Sequence, residues 1–254
     1  MPRPPVWCVA ATLIAACSPF SSAATTETGA TDGGDGAAGP SEGRVRFRGA
    51  VADVASAGAA TDLVAPLPSG VQPGDLLWGT LVLRAQASAV PFFPSQQWVK
   101  VETRETVCEA AVPRLHTVLH FYRVATGAEP RSIVLGRTSA FVRGDVVVAA
   151  FTGVDTSQPL AAHALADLRS GPLSSPALTS DVDDGLLLLS FTLMNAGQAQ
   201  WEPADGVTLR GSLPAIGLYD KSVGRGVVAP VVTRSTGAPV CGASALAAIL
   251  RAAP

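Results

Sequence analysis

The sequence predicts an all-β domain, a two-sheet β-sandwich of jelly-roll or Greek-key type built from an internal duplication. Three observations carry that expectation. "GDLLWGTLVLRA", "RLHTVLHFYRVA", "GDVVVAAFTGV", "DGLLLLSFTLMNA" and "ASALAAILRAA" are apolar runs of strand length, bounded by Gly, Pro, Asp and Ser. Their β-branched and aromatic content favours strands over short buried helices. With 25 glycines and 20 prolines, turns are frequent, and no long segment carries apolar residues three and four apart between good caps. Finally, Ser69–Ala85 aligns with Ser180–Ala196, each followed by a loop and a tryptophan, Trp98 and Trp201. Leu119–Val154 likewise echoes Ala215–Leu250, both running aromatic strand, Gly turn, apolar strand, Thr/Ser-rich turn, apolar strand. Two such motifs would build two sheets, neither able to bury its face alone.

In chain order, residues 1–16 read as an export signal. Arg3 precedes a short apolar run, "VWCVAATLIAAC", that falls well short of the roughly 20 residues needed to span a bilayer. Leu13, Ile14, Ala15, Ala16 and Cys17 resemble the lipobox of bacterial lipoproteins. That resemblance implies cleavage before Cys17 and lipidation of Cys17, giving attachment by two or three acyl chains where one binds only marginally. It places the protein at the cell envelope, and Ser18, not an aspartate, resembles the sorting choice for the outer membrane. An ordinary signal peptide cut after Ala23 or Ala24 is the alternative. Residues 17–43 are Ala, Thr, Ser, Gly and Asp with little to bury, and read as a lipidated, disordered tether of roughly 25–30 Å reach.

Residues 44–254 are long enough for one substantial domain. The chain is 48% hydrophobic and 15% charged, a globular balance, and its net charge of −2 argues against nucleic acid as a partner. Of four cysteines, Cys8 leaves with the signal and Cys17 takes lipid, which leaves Cys108 and Cys241 as a pair in an exported protein. They read as one disulfide worth about 4–5 kcal/mol in chain entropy, with two isolated thiols as the alternative. Neither has a second ligand at metal spacing.

"PLAAHALADL", Pro159–Leu168, is the one helix-like piece, or a loop between strands. From Val64 to Leu250, "VAPLPSGVQPGDLLWGTLVL", "QQWVKVETRE", "LHFYRVATGAEPRSIVL", "VVVAAFTGVDTSQPL", "DGLLLLSFTLM" and "ALAAIL" resemble a β-sandwich module of secreted bacterial and phage-tail-associated proteins. The motifs are structural turns. "PSQQW" departs from the module's Pro-x-Gly-Trp. The resemblance implies no catalytic residues and a display or adhesion role.

Candidate sites are few. His116 and His120 would share one strand face, with Glu105 or Glu109 as a third ligand, but their Cβ atoms would stand about 13 Å apart, too far to chelate one ion. Structural histidines are the reading, and no metal or other cofactor is expected. Asp181, Asp183 and Asp184 in "SDVDDG" read as turn residues, because a full calcium loop is absent. No Gly-x-Ser-x-Gly, phosphate loop or dinucleotide fingerprint occurs. "CGAS" at Cys241–Ser244 reads as the start of the last strand, and Cys241 with His163 as no nucleophile pair. A glycosidase would need paired carboxylates, for which Glu102 and Glu105 are the first to test. Phe92 and Phe93, between prolines, form a candidate binding loop for a sugar or protein partner, or fold over an open end of the sandwich. Trp98 reads as core.

The expectation is a non-enzymatic, lipid-anchored envelope protein, attached to the membrane through Cys17, whose sandwich displays a surface for a glycan or protein partner. An envelope glycan hydrolase and a structural spacer or assembly module are the alternatives.

Overall fold

The computed structural model describes residues 44–57, 62–86, 93–94, 98–108, 114–127, 129–137, 142–168, 172–194, 199–236 and 242–254; at 55–57, 85–86, 93–94, 108, 114, 137 and 142 it describes the backbone alone. The expected signal, tether, lipidated Cys17, Phe92 and Cys241 lie outside these residues. The described chain is strand and turn with no helix.

The first half supplies β1 (Arg46–Ala57), β2 (Asp62–Pro66), β3 (Leu76–Gln86), β4 (Phe93–Pro94), β5 (Val99–Cys108), β6 (Arg114–Val124), β7 (Ser132–Arg137) and β8 (Val142–Thr152). The second supplies β9 (Leu160–Leu168), β10 (Leu173–Ser174), β11 (Leu178–Ser180), β12 (Gly185–Met194), β13 (Thr208–Leu213), β14 (Ile216–Val223), β15 (Gly226–Val228), β16 (Val232–Thr233) and β17 (Gly242–Leu250). Each half makes one antiparallel five-stranded sheet, in the orders β1-β8-β3-β6-β5 and β13-β14-β12-β17-β9. Read from its first strand, each sheet has the same wiring: first, last, second, fourth and third of its long strands. Consecutive strands are therefore not interleaved between the sheets, as they would be in a jelly roll.

The two sheets face each other with β3 over β12 and β5 over β9, giving the sandwich that the apolar runs predict. Strand alternation sorts the side chains. On β3, Leu76, Trp78 and Val82 join the inter-sheet core, while Leu77, Leu81 and Leu83 point the other way. That outer face is covered by a third layer, the sheet β2-β7-β4, which brings Leu63, Ala65, Ile133 and Leu135. The outer face of β12 is covered too. Phe191 packs on Trp201 and Tyr219, and the Tyr219 hydroxyl lies 3.2 Å from Thr233 on β16. With both faces buried, every residue of β12 and β17 is buried, which is why these strands read as unbroken apolar runs.

The duplication appears in detail. Trp98 and Trp201 each precede the third long strand of their half, and each indole donates to a backbone carbonyl, Val134 and Leu213, at 3.2 and 2.8 Å. Each is accommodated by a glycine: a Cβ on Gly217 would stand 2.6 Å from Trp201, and one on Gly79 would stand 2.1 Å from Phe121, the partner of Trp98. One detail is corrected. The sequence alignment sets Thr80 against Phe191, but Thr80 faces the other sheet and Phe191 faces away. Ser190, one residue earlier, has the facing of Thr80 and touches it. A one-residue slip exchanges the two faces of a strand, and apolar runs that are greasy on both faces carry no signal to prevent it.

"PLAAHALADL" is not helical. It forms β9, paired along its length with β17. Alanine and leucine favour helix only weakly, and the ladder with the packing of half-buried Leu160, Leu165 and Leu168 on the core overrides them. Phe93 belongs by its backbone to the short edge strand β4 and not to a loop.

Replacing Gly79 with valine should lower stability by about 1–3 kcal/mol through overpacking against Phe121. Urea denaturation should show an earlier midpoint for G79V, and for G217V against Trp201, with little change in slope. Unchanged midpoints would contradict this packing.

Candidate functional site

The inter-sheet layer changes chemistry along its length. Toward the end where the chain enters at Arg44, sheet one contributes Leu76, Trp78, Ala149 and Phe151. Toward the opposite end, where Gln86, Cys108, Leu168 and Met194 finish their strands and Gly242 starts β17, the facing positions turn polar. The register places Thr106, His116, Arg84 and Arg143 in one row across β5, β6, β3 and β8. The next row is Arg104, Val118, Val82 and Asp145, and the third is Glu102, His120, Thr80 and Val147. Sheet two answers with Ser190, Thr192, Ser244 and, on β9, His163 and Asp167.

At the centre, Thr80 Oγ1 accepts from Trp78 Nε1 at 3.3 Å, shares a hydrogen bond of 3.2 Å with His120 Nδ1, and lies 3.0 Å from Ser190 Oγ. This hydroxyl contact ties β3 of one sheet to β12 of the other. His120 is fully buried, its Nε2 has no partner among the described residues, and burial pushes its pKa down to about 3. A low-dielectric site without an acceptor disfavours the imidazolium. Nearby, Thr192 and Ser244 share a hydrogen bond of 2.6 Å.

The flanks are closed by charges. On one side Arg104 on β5 meets Asp167 on β9 at 2.5 Å, and Glu102 meets His163 at 3.5 Å. A bulge between Lys100 and Glu102 sets this register, turning Glu102 and Arg104 toward the other sheet. On the other side Arg210 of β13 binds both oxygens of buried Asp220 and stacks on the Phe47 ring of β1. Burial pushes the Asp220 carboxyl up, and Arg210 offsets part of that shift. At the polar end Asp145 accepts from the Ala215 amide at 3.0 Å, pinning the β13–β14 turn to sheet one, and the guanidinium of half-exposed Arg84 stands 4.0 Å away.

His116 and His120 do share one strand face, and both are buried between the sheets; no cluster of metal-ligating side chains occurs among the described residues. Glu109 lies outside them. Glu102 and Glu105 point to opposite faces of β5, so they do not form a carboxylate pair. Asp181 and Asp183 pair with Arg251 and Arg225 in the turn before β12, and Arg225 holds the Asp183 carboxyl below its usual range. Ser244 of "CGAS" lies in strand β17. His163 is engaged by Glu102. For Cys108 and Cys241 the side chains are outside the description, but Cys108 ends β5 and Gly242, next to Cys241, starts β17 at the same end of the sandwich. Asp155 in "GVDTSQP" binds the Ser157 and Gln158 amides, the turn role that motif implies.

The Thr80–His120–Ser190 network is absent from the sequence reading. Its visible trace is hydroxyl residues inside the long apolar runs, Thr80 in "LLWGTLVL" and Ser190 with Thr192 in "LLLLSFTL".

Comparison with known proteins finds no matching family model, no similar curated protein and no similar solved structure.

Because free imidazole titrates near 6.5 and His120 does so near 3, the unfolded chain binds the extra proton between those values. Stability is therefore fully present above about pH 6.5 and falls as pH drops toward 3, by up to about 1.4 kcal/mol per unit. Denaturation midpoints from pH 7.5 to 4.5 check this. H120N should flatten the slope, and an unchanged slope would refute the assignment.

Proposed function

We propose that this chain is a non-enzymatic, exported lipoprotein whose β-sandwich displays a binding surface for a glycan or protein at the cell envelope. The observation that supports it most is polarity along the domain. The chain enters at Arg44 at one end, whereas charged and hydroxyl side chains gather at the other, with His116 and Asp145 buried between the sheets, Arg84 half-exposed and Arg143 exposed. A domain tethered at its entry end presents its opposite end outward, and rigid sandwiches carry recognition at their strand ends. Strands buried on both faces supply that rigidity. Cys17 is the proposed anchor, Cys108–Cys241 the proposed disulfide, and Phe92 and Phe93 the proposed aromatic contacts of the binding end.

The anchor is tested by cell fractionation. C17S should shift the protein from the membrane to the soluble fraction, and unchanged membrane retention would refute lipidation. The surface is tested with the mature protein against immobilised envelope glycan and envelope protein fractions. Replacing Arg84 and Arg143 with alanine should weaken capture about tenfold or more, as loss of central contacts does. R225A, at the entry end, should leave capture intact. Equal loss from R225A, or none from the Arg84 and Arg143 changes, would place the surface elsewhere.

A further inference from the structure

All three histidines of the chain stand in one seam, the flank where β5 and β6 of sheet one meet β9 of sheet two. His120 is the register partner of Glu102, and neighbours across two strands on one face have Cβ atoms about 5 Å apart. Glu102 is therefore the carboxylate best placed to reach His120. It is already taken: His163 of the opposite sheet holds it at 3.5 Å, on a half-exposed flank where both side chains keep nearly 40% of their surface in solvent. Two histidines, one interior and one on the rim, thus stand around a single acid. We propose that protonation of His120 draws Glu102 away from His163 and opens the β5–β9 flank of the sandwich.

The closed form has a place for neutral His120 only. Its Nδ1 is served by Thr80, its Nε2 meets no acceptor among the described residues, and burial disfavours the charge. A second N–H on Nε2 needs an oxygen, and the facing strands offer few. Sheet two presents Ser190, already on Thr80, and the apolar Leu246 and Ala248. On β9, Asp167 is paired with Arg104. On β6, His116 is two pleats away and is no acceptor for an imidazolium once charged. On β8, Asp145 is held by the Ala215 amide and faces Arg84. That leaves Glu102. Moving its carboxylate inward, or moving β5 outward so that water reaches Nε2, breaks the same clasp to β9. Arg104–Asp167 then holds the flank alone. Among the described residues, the centre of the sandwich, β3 over β12, contains no other buried titratable side chain facing His120, and it stays closed.

Hydrogen exchange on the full-length protein tests this. With intrinsic rates corrected, lowering pH from 7 to 5 should raise exchange of β5 and β9 amides roughly twentyfold, the ratio expected if the open form carries a histidine titrating near 6.5. Amides of β3 and β12 should stay far better protected than those of β5 and β9, losing only what the global stability loses. H120L should abolish the acid response, and H163Q should give fast β5 and β9 exchange already at pH 7. Protection of β5 and β9 equal to that of β3 and β12 at pH 5, no loss of protection, or an acid response retained in H120L would overturn the proposal. Should H120L fail to fold, ring NMR signals of His120 in the wild-type protein decide. They must report protonation in step with β5 and β9 exchange, and a ring that stays neutral while those amides accelerate overturns it equally.

Discussion

The rest of the structure depends on one constraint: neither half of the domain can bury its inner face without the other. Leu186, Leu188, Ile216, Leu218, Leu246 and Leu250 of the second sheet are buried and face the first. At about 1.5–3 kcal/mol for each buried side chain, exposing them would forfeit about as much as the whole stability of a typical domain. The outer faces are closed within each half, by β2-β7-β4 on one side and by the Trp201 region with β16 on the other. The inner faces are not, and association of the two similar sheets is the solution. Thr80 and Ser190 touch where they meet.

That constraint also explains where polar chemistry collects. The entry end of the inter-sheet layer is filled by Trp78, Ala149 and Phe151, which supply the burial. The far end is relieved of that duty and carries arginine, histidine, aspartate and hydroxyl groups. Charge pairs along the flanks, Arg104–Asp167 on one and Arg210–Asp220 against Phe47 on the other, seal the edges where a bare strand would otherwise invite pairing. The Lys100–Glu102 bulge serves the same end, and it is also what puts Glu102 between two histidines. Stability and the proposed display role therefore use different ends of one scaffold.

What was legible in the sequence follows burial closely. The five apolar runs are β3, β6, β8, β12 and β17, five of the six strands that lie inside the two five-stranded sheets with a neighbour on each side; the sixth, β14, carries Asp220 and Lys221 and is not one of the runs. Strands covered on both faces lose the alternation that marks a half-buried strand, but their greasiness announces them. The edge strands β1, β5, β9 and β13 mix alanine, glycine and charge, and β9 even imitates a helix. The duplication was visible, but not its register, because runs apolar on both faces align almost equally well one residue apart. His116 and His120 were found as a same-face pair, yet their burial depends on sheet two, which the local sequence does not describe. Glu102 with His163, and Thr80 with Ser190, are distant in the chain and become neighbours only once β5 is known to lie over β9 and β3 over β12.

The most direct test separates the halves. Residues 44–156 and 157–254, produced apart, should each lack cooperative unfolding, bind hydrophobic dye and fail to persist as monomers. Produced together, they should recover a one-to-one complex with a single sharp transition. A half that folds alone as a soluble monomer, with a cooperative transition of its own, would contradict the account.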